Sequence, residues 1–377
     1  MQQKLIALAV AGLASTSAFA QSNVTIYGLV DYGYAYRFDA RSLTNAGPTP
    51  NSASQLNSGQ AFSNRIGFKG TEDLGNGLKA LFVLEQGFNL DTGTEQVNGL
   101  AFARQSYVGL SGNFGSVIGG RMYTPYYNFV AGLDPFVNGT VGRYANAFTL
   151  APTVTGSSLT NPLRFDNAVA YTSPSFGGFS VTGAFSNNVV GQEASASNAA
   201  NNTAYALFGQ YADGPIYVGA NYHYIASGSN PVDSVINNVQ NFSLGGSYDF
   251  KVAKIMALWT WNEIDYAGIL SNVSNATVNN YMLGATVPFG KWTGKATYVY
   301  SDGNRTAGGD AQQLAVGLDY NLSKRSTIYT AYSYINNSDN RMSGTGDAGQ
   351  GGAYAAGNGF GAGVWQQGLQ VGITHRF

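Results

Sequence analysis

Side chains able to do covalent or acid–base chemistry are scarce in this chain. Its 377 residues include no cysteine and two histidines, His223 and His375. His223 has no serine or carboxylate beside it in a recognisable motif, and His375 sits on the apolar face of the last strand. Hydrolases need a positioned base, so an enzyme is disfavoured. Thiolate sites are excluded and so few histidines argue against a transition-metal centre; acidic loops leave calcium open, and no cofactor is implied. A net charge of -1 gives no basic surplus for nucleic acid. What remains is charge held on an ordered surface. In Arg65-Ile66-Gly67-Phe68-Lys69, a period of two puts Arg65 and Lys69 on one face and Ile66 and Phe68 on the other. Such a strand offers cations to one side and grease to the other.

The C-terminus shows what kind of strand this is. Every second residue back from the end reads Phe377, His375, Ile373, Val371, Leu369, Gln367 and Trp365, and the residues between are polar or glycine. The apolar face is greasiest at its middle and ends in an aromatic at both sides, the pattern of a strand crossing lipid between two interfacial girdles. About thirteen residues at ~3.3 Å each reach ~43 Å, enough to cross a bilayer at a tilt. At the other end, Lys4, an apolar core over residues 5–13 and Ala18-Phe19-Ala20 make a secretory signal peptide of residues 1–20. That apolar core is too short for a spanning helix and no later segment approaches ~18 uninterrupted apolar residues, so insertion must use strands in a closed sheet. Fifty glycines, 25 tyrosines and 21 phenylalanines, with only 10% charged residues, suit such strands.

Turn signals then give the count. Taking Gly75, Asn113, Phe176, Asp213, Lys251, Phe289 and Ser323 as turn centres, the spacings are 38, 63, 37, 38, 38 and 34 residues. A spacing near 38 fits two strands, one tight turn and one longer loop. The 63 marks an oversized loop over residues 123–161. Seven turns join fourteen strands, and an opening strand over 24–36 plus the closing one makes sixteen. The long polar connections are 37–62, 89–99, 123–161, 187–202, 226–240, 262–279, 302–310 and 336–364. The expected fold is an all-β transmembrane antiparallel barrel of about sixteen strands over residues 21–377, with tight turns on the periplasmic side.

Three stretches carry a family likeness. Residues 64–80 (NRIGFKGTEDLGNGLKA), 107–115 (YVGLSGNFG, with Gly120-Arg121 behind it) and 167–179 (NAVAYTSPSFGGF) resemble the trimeric general diffusion porins of Gram-negative outer membranes. The closing His375-Arg376-Phe377 is similar to the β-proteobacterial branch, although His375 stands where other members often have Tyr or an aliphatic residue. The likeness implies a homotrimer in outer-membrane lipid. It also implies that Phe377 is an assembly signal for the barrel-insertion machinery, and that the function is passive diffusion of ions and small hydrophilic solutes. It makes Arg65, Arg104 and Arg164 an arginine cluster on the wall of the narrowest section. It folds the oversized loop into the lumen as the third loop, with Asp134 at an acidic tip opposing the arginines. Arg121 and Lys69 complete the implied constriction set.

Each of these residues has a plainer reading. The arginines can be satisfied in lumen salt bridges, Arg121 can anchor the loop, and Lys69 can lie below the constriction. Asp134-Pro135 is also an ordinary turn starter, with Arg143 or Asp166 as other candidates for the opposing role. Tyr126, Tyr127, Tyr298 and Tyr300 fit packing or girdles better than a sugar track. A monovalent anion ~8 Å from one arginine in water gains about 0.5 kcal/mol, so three give ~1.5 kcal/mol before screening. One Debye length reduces that to ~0.5 kcal/mol. This is a weak anion bias rather than a high-affinity receptor. The rival reading is a channel specific for phosphate or organic anions, and a surface adhesin or phage-receptor role could coexist through the loops.

Overall fold

The computed structural model describes residues 23–38, 41–44, 47–50, 52–147, 163–191, 193, 201–228, 236–266, 275–304, 308–338, 343, 363 and 365–377. The expected signal peptide lies outside them. Strand β1 (Asn23–Phe38) leads through a short ribbon, β2 (Arg41–Thr44) and β3 (Gly47–Pro50), to β4 (Ala53–Ser58) and β5 (Arg65–Gly75). Next come β6 (Leu78–Gly87), β7 (Gln105–Gly112), β8 (Gly115–Tyr123), β9 (Arg164–Thr172) and β10 (Phe179–Ser186). The chain continues with β11 (Thr203–Asp213), β12 (Ile216–Ala226), β13 (Ile236–Asp249), β14 (Lys254–Tyr266) and β15 (Ala276–Phe289). It ends with β16 (Trp292–Gly303), β17 (Ala311–Asn321), β18 (Ser326–Asn337) and β19 (Gln366–Arg376).

Each strand from β5 onward pairs antiparallel with the next, and β1 closes the ring by pairing with β19 on one side and with β4 and β5 on the other. The main sheet has seventeen segments, of which β4 and β5 form one interrupted stave, leaving sixteen staves. Closure removes the edges, so the backbone groups of the wall are paired within the protein, as lipid requires. Leu369, Val371 and Ile373 point outward and exposed, while Gln370 and Thr374 are buried on the inner face. The same inversion runs through β13 to β15, where inward Asn241, Ser243, Thr260, Asn262 and Asn280 are fully buried. They satisfy one another: Ser243 donates to Asn241 (2.8 Å), Asn280 to Thr260 (3.0 Å) and Asn262 to Thr260 (3.2 Å).

All seven expected tight turns occur where the punctuators stand. Short side chains close them locally. Asp73 accepts from the Gly75 amide at 2.9 Å, and Asp249 from Lys251 at 2.7 Å. Ser323 accepts from Arg325 (3.1 Å) and Ser326 (3.0 Å). In the first turn Gly75, Asn76 and Gly77 all have positive φ (88°, 52° and 78°), which Gly and Asn adopt most readily.

Two features were absent from the sequence reading. Residues 37–62 were expected as one connection, yet β4 within them pairs with β1 from Tyr32 to Arg37. The stave breaks only between β4 and β5, where the chain turns inward around Asp31. The buried Asp31 carboxylate accepts from the Ala61 amide (3.2 Å), Tyr329 (3.0 Å) and Thr374 (2.5 Å), while the Asp31 amide donates to Asn64 (2.5 Å). The second feature is a helix, α1 (Pro125–Leu133), in the oversized loop. Thr124 caps it by accepting from the Tyr127 amide at 3.1 Å, and Pro125 suits its first turn.

The apolar side of α1 packs on the inner wall. Phe129 lies 5.2 Å from Phe208, and Tyr126 meets His223 edge-on at 5.4 Å. Leu133 joins Met256, Leu258 and Met282 in the same cluster. Burying each of these large side chains contributes roughly 1.5–3 kcal/mol. The loop then follows the wall from β14 to β19. Tyr144 bonds Thr260 (2.9 Å), Gln313 donates to the Gly142 (2.9 Å) and Arg143 (3.1 Å) carbonyls, and the Val141 amide donates to Gln370 (2.7 Å). The Thr140 amide donates to the Gln60 carbonyl (2.7 Å), which ties the loop to the inward turn of the broken stave.

Candidate functional site

Between this loop and the opposite wall lies a cavity of about 340 Å3. Arg65, Arg104 and Arg164 line one side, and Tyr127, Val137, Asn138 and Arg143 of the loop line the other. Arg65 opens β5, Arg104 directly precedes β7 and Arg164 opens β9, so all three stand at the long-loop ends of their strands. The barrel wall, rather than sequence proximity, gathers them.

Their side chains are held by oxygen acceptors and rings. Tyr123 accepts from both Arg104 and Arg164, the latter at 3.0 Å. The Arg164 guanidinium lies 4.6 Å from the Tyr123 ring centroid, a favourable cation–ring contact, and Tyr123 stacks on Tyr127 at 4.7 Å. Arg164 Nε donates to the Arg104 carbonyl (2.6 Å), Arg65 Nε to the Ser63 carbonyl (3.1 Å), and Arg104 Nη1 to Gln96 (3.3 Å). One buried carboxylate balances the group. Glu85 accepts from Arg104 Nε at 2.7 Å and from the Tyr27 hydroxyl at 2.9 Å, and lies 4.0 Å from Arg65. Glu85 and Arg104 are only 3% and 4% exposed. Four arginines against this one glutamate leave a formal surplus of three positive charges around the cavity.

The other expected site residues lie elsewhere. Arg121 does not line the cavity: it pairs with Asp166 and donates to the Ala103 carbonyl at 2.7 Å. The β8–β9 register shifts at this point, and Asn167 has a positive φ of 46°, so a bulge in β9 turns Asp166 toward Arg121. Lys69 is four residues along β5 from Arg65, roughly 13 Å nearer the tight turns. It lies in a separate recess with Lys79 and Tyr107, its ammonium 5.3 Å from the Tyr27 ring centroid.

Asp134 requires a correction, because its carboxylate does not face the arginines. It is 2% exposed and accepts from the amides of Phe136 (3.0 Å), Asn138 (3.0 Å) and Tyr144 (2.9 Å), locking the loop's own turn. Burial pushes its carboxyl above the ordinary carboxylate range, opposed by these amides and by Lys295. Burial likewise raises the Tyr126, Tyr127 and Tyr144 hydroxyls. Arg143, considered earlier for the opposing role, instead adds to the cationic lining and donates to Asn146 at 2.8 Å.

Sequence reasoning missed Glu85, Tyr123 and Gln96. Glu85 was accessible from alternation, since Lys79, Leu81, Val83 and Glu85 share one face of β6. Tyr123 and Gln96 had no such signal.

Comparison with known proteins gives a consistent picture. A family model described as Gram-negative porin matches residues 7–340. The chain is 33% identical over 382 residues to outer membrane porin protein 32 of Delftia acidovorans, covering 100% of both. It is 29% identical to an outer membrane porin protein of Bordetella pertussis, covering 89% of this chain and 95% of that protein. Among solved structures, the anion-selective porin from Comamonas acidovorans superposes with a TM-score of 0.76 at 30% identity, covering 94% of this chain and 100% of that one. The trimer form of OmpT from Vibrio cholerae shares the fold with a TM-score of 0.62 at 17% identity, covering 94% of this chain and 99% of that one.

Proposed function

This chain belongs to the Gram-negative porin family and is a passive diffusion channel of the outer membrane, and from that premise we propose that its cavity of arginines makes it weakly anion-selective. The observation that carries the reading is the charge balance around the cavity among the described residues: Arg65, Arg104, Arg143 and Arg164 against Glu85. Fixed cations beside a narrow water path raise the local concentration of anions without binding them tightly. Similarity to an anion-selective porin supports the same sign. Lys69 adds a more distant positive charge, whereas Arg121 and Asp134 serve the architecture. The channel carries ions and small hydrophilic solutes and is not an enzyme.

The same reading covers assembly. Residues 1–20 are removed as a signal peptide, and residues 21–377 form the barrel. Three copies associate in outer-membrane lipid through outward faces such as that of β1, where Val24 and Ile26 are exposed. Phe377 is the signal read by the barrel-insertion machinery. Its backbone exchanges two hydrogen bonds of 3.1 Å with Gly28. A Cβ at Gly28 would overlap the Phe377 ring, so glycine there makes room for it.

Liposome swelling tests the proposal. Vesicles containing the protein should admit small uncharged sugars and, faster, an anion of similar size, while the matching cation enters more slowly. Equal rates for anion and cation would remove the arginines from the selectivity.

A further inference from the structure

A second cavity, of about 250 Å3, lies on the other side of the loop tip. Its wall comes from the tight-turn ends of β16 to β19, the periplasmic end in barrels of this kind. Lys295, Asp319 and Arg376 supply its charges, Phe136 and Phe62 its aromatic surface, and Tyr329 a hydroxyl. Lys295 Nζ pairs with Asp319 at 2.5 Å, and both side chains are largely withdrawn from solvent, at 16% and 21% exposed. The Arg376 guanidinium sits 4.8 Å from the Phe62 ring centroid, and Lys295 Nζ 5.9 Å from that of Phe136. Asp31 stands behind this wall, holding the Tyr329 and Thr374 hydroxyls, and Asp134 interacts with Lys295, so an anion is taken by the placement of Lys295 and Arg376 and not by a net positive surplus. Ala61, Phe62 and Val137 line both this cavity and the arginine cavity, so the two spaces meet across one thin partition.

We propose that this cavity is a second solute site, on the periplasmic side of the constriction, that binds organic carboxylates bearing an apolar body. Arg376 and Lys295 take the carboxylate, and Asp319 holds the Lys295 ammonium in place. Phe62 and Phe136 cover the carbon skeleton. An inorganic anion uses only the charges, so the aromatic walls separate the two kinds of solute. The site uses this cavity's own residues and does not require the arginine cavity to set ion selectivity.

The test is a 19F NMR titration of 4-fluorobenzoate against the purified protein in detergent, with fluoroacetate as the small comparison. Saturable binding is expected, with 4-fluorobenzoate about tenfold tighter than fluoroacetate if roughly 60 Å2 of ring is buried. Lys295→Gln, which can still hydrogen-bond Asp319, and Arg376→Gln should each weaken 4-fluorobenzoate by about fivefold, the loss of one ion contact near 4 Å in water. Arg164→Gln, on the far side of the partition, should leave that affinity within error. Arg376 adjoins the terminal residue, so Lys295→Gln decides the matter if the Arg376 variant does not assemble. Equal binding of the two probes, wild-type affinity in Lys295→Gln, or loss of binding in Arg164→Gln would each overturn the proposal. A cation-selective wild-type channel that still binds 4-fluorobenzoate through Lys295 would contradict only the selectivity reading above.

Discussion

Replacing Glu85 with Gln should make the channel more anion-selective. The substitution keeps an oxygen that can accept from Tyr27 and Arg104, now at 2.9 and 2.7 Å, but removes the one negative charge among the arginines. The formal surplus around the cavity rises from three to four, because Glu85 no longer offsets one of the four arginines. For a monovalent ion ~8 Å away in water, one charge is worth about 0.5 kcal/mol. Because the anion gains this amount and the cation loses it, the anion-to-cation permeability ratio should rise roughly fivefold above wild type at low salt, falling as the Debye length shrinks to about 8 Å at physiological ionic strength. Removing the charged partner of buried Arg104 also costs about 1–3 kcal/mol of local stability, so Arg104 gains freedom to move. Tyr27→Phe separates the two effects: it frees one side of Glu85 but retains the charge, and should shift selectivity little. The assay is the reversal potential of single channels in a potassium chloride gradient at low and high salt. An unchanged ratio in Glu85→Gln at low salt, or a shift toward cations, would refute the electrostatic reasoning.

Other outcomes follow from the same geometry. Ser in place of Arg65, Arg104 or Arg164 should move the reversal potential toward cations at low salt, less so at high salt, with the smallest loss of barrel yield for half-buried Arg65, whose side chain is 22% exposed against 5% for Arg104. Phe377→Ser should reduce the amount of protein reaching the outer membrane far more than the conductance of the channels that do form, measured by membrane fractionation and bilayer recording. Gly28→Val should mimic that assembly defect, since its side chain would occupy the space of the Phe377 ring; a normal yield would show the ring to be dispensable. Burial raises the Asp134 carboxyl above its unfolded value near 3.8, so this group's stabilising contribution is complete below that value and is lost as pH rises through the folded one. Thermal unfolding of wild type against Asp134→Asn should therefore shift in favour of wild type on acidification from neutral pH, and a shift the other way would exclude Asp134 as the buried acid.

Much of the fold was legible because a lipid-facing barrel has to advertise itself locally. Alternation in residues such as Leu369 to Thr374, and turn closers such as Asp73, Asp249 and Ser323, act within a few residues of themselves. Their spacing was therefore enough to give sixteen staves. The broken stave between β4 and β5 was not legible, because Asp31 holds it through Ala61, Asn64, Tyr329 and Thr374, partners spread across the whole chain. Helix α1 was hidden for a similar reason: Phe129 and Leu133 are buried by Phe208, Met256 and Leu258, which no local pattern connects to them. At the site, Arg65 and Lys69 could be put on one face from their spacing, and the likeness to known porins supplied Arg104 and Arg164. Asp134 misled because an acid before proline looks the same whether its carboxylate faces a pore or closes its own turn. Sequence alone leaves Arg121 between lining the pore and anchoring the loop, and the bulge at Asn167 that hands it to Asp166 has no local signal.

Arginines brought together from three separate staves act jointly on passing ions. The most direct measurement is the reversal potential of the wild-type channel in a low-salt gradient beside that of the combined Arg65→Ser, Arg104→Ser, Arg164→Ser protein. Modest anion selectivity is expected in the first and a loss of that preference in the second, with the difference vanishing as salt is raised. Cation selectivity in the wild type, or the same anion preference in both proteins, would contradict it.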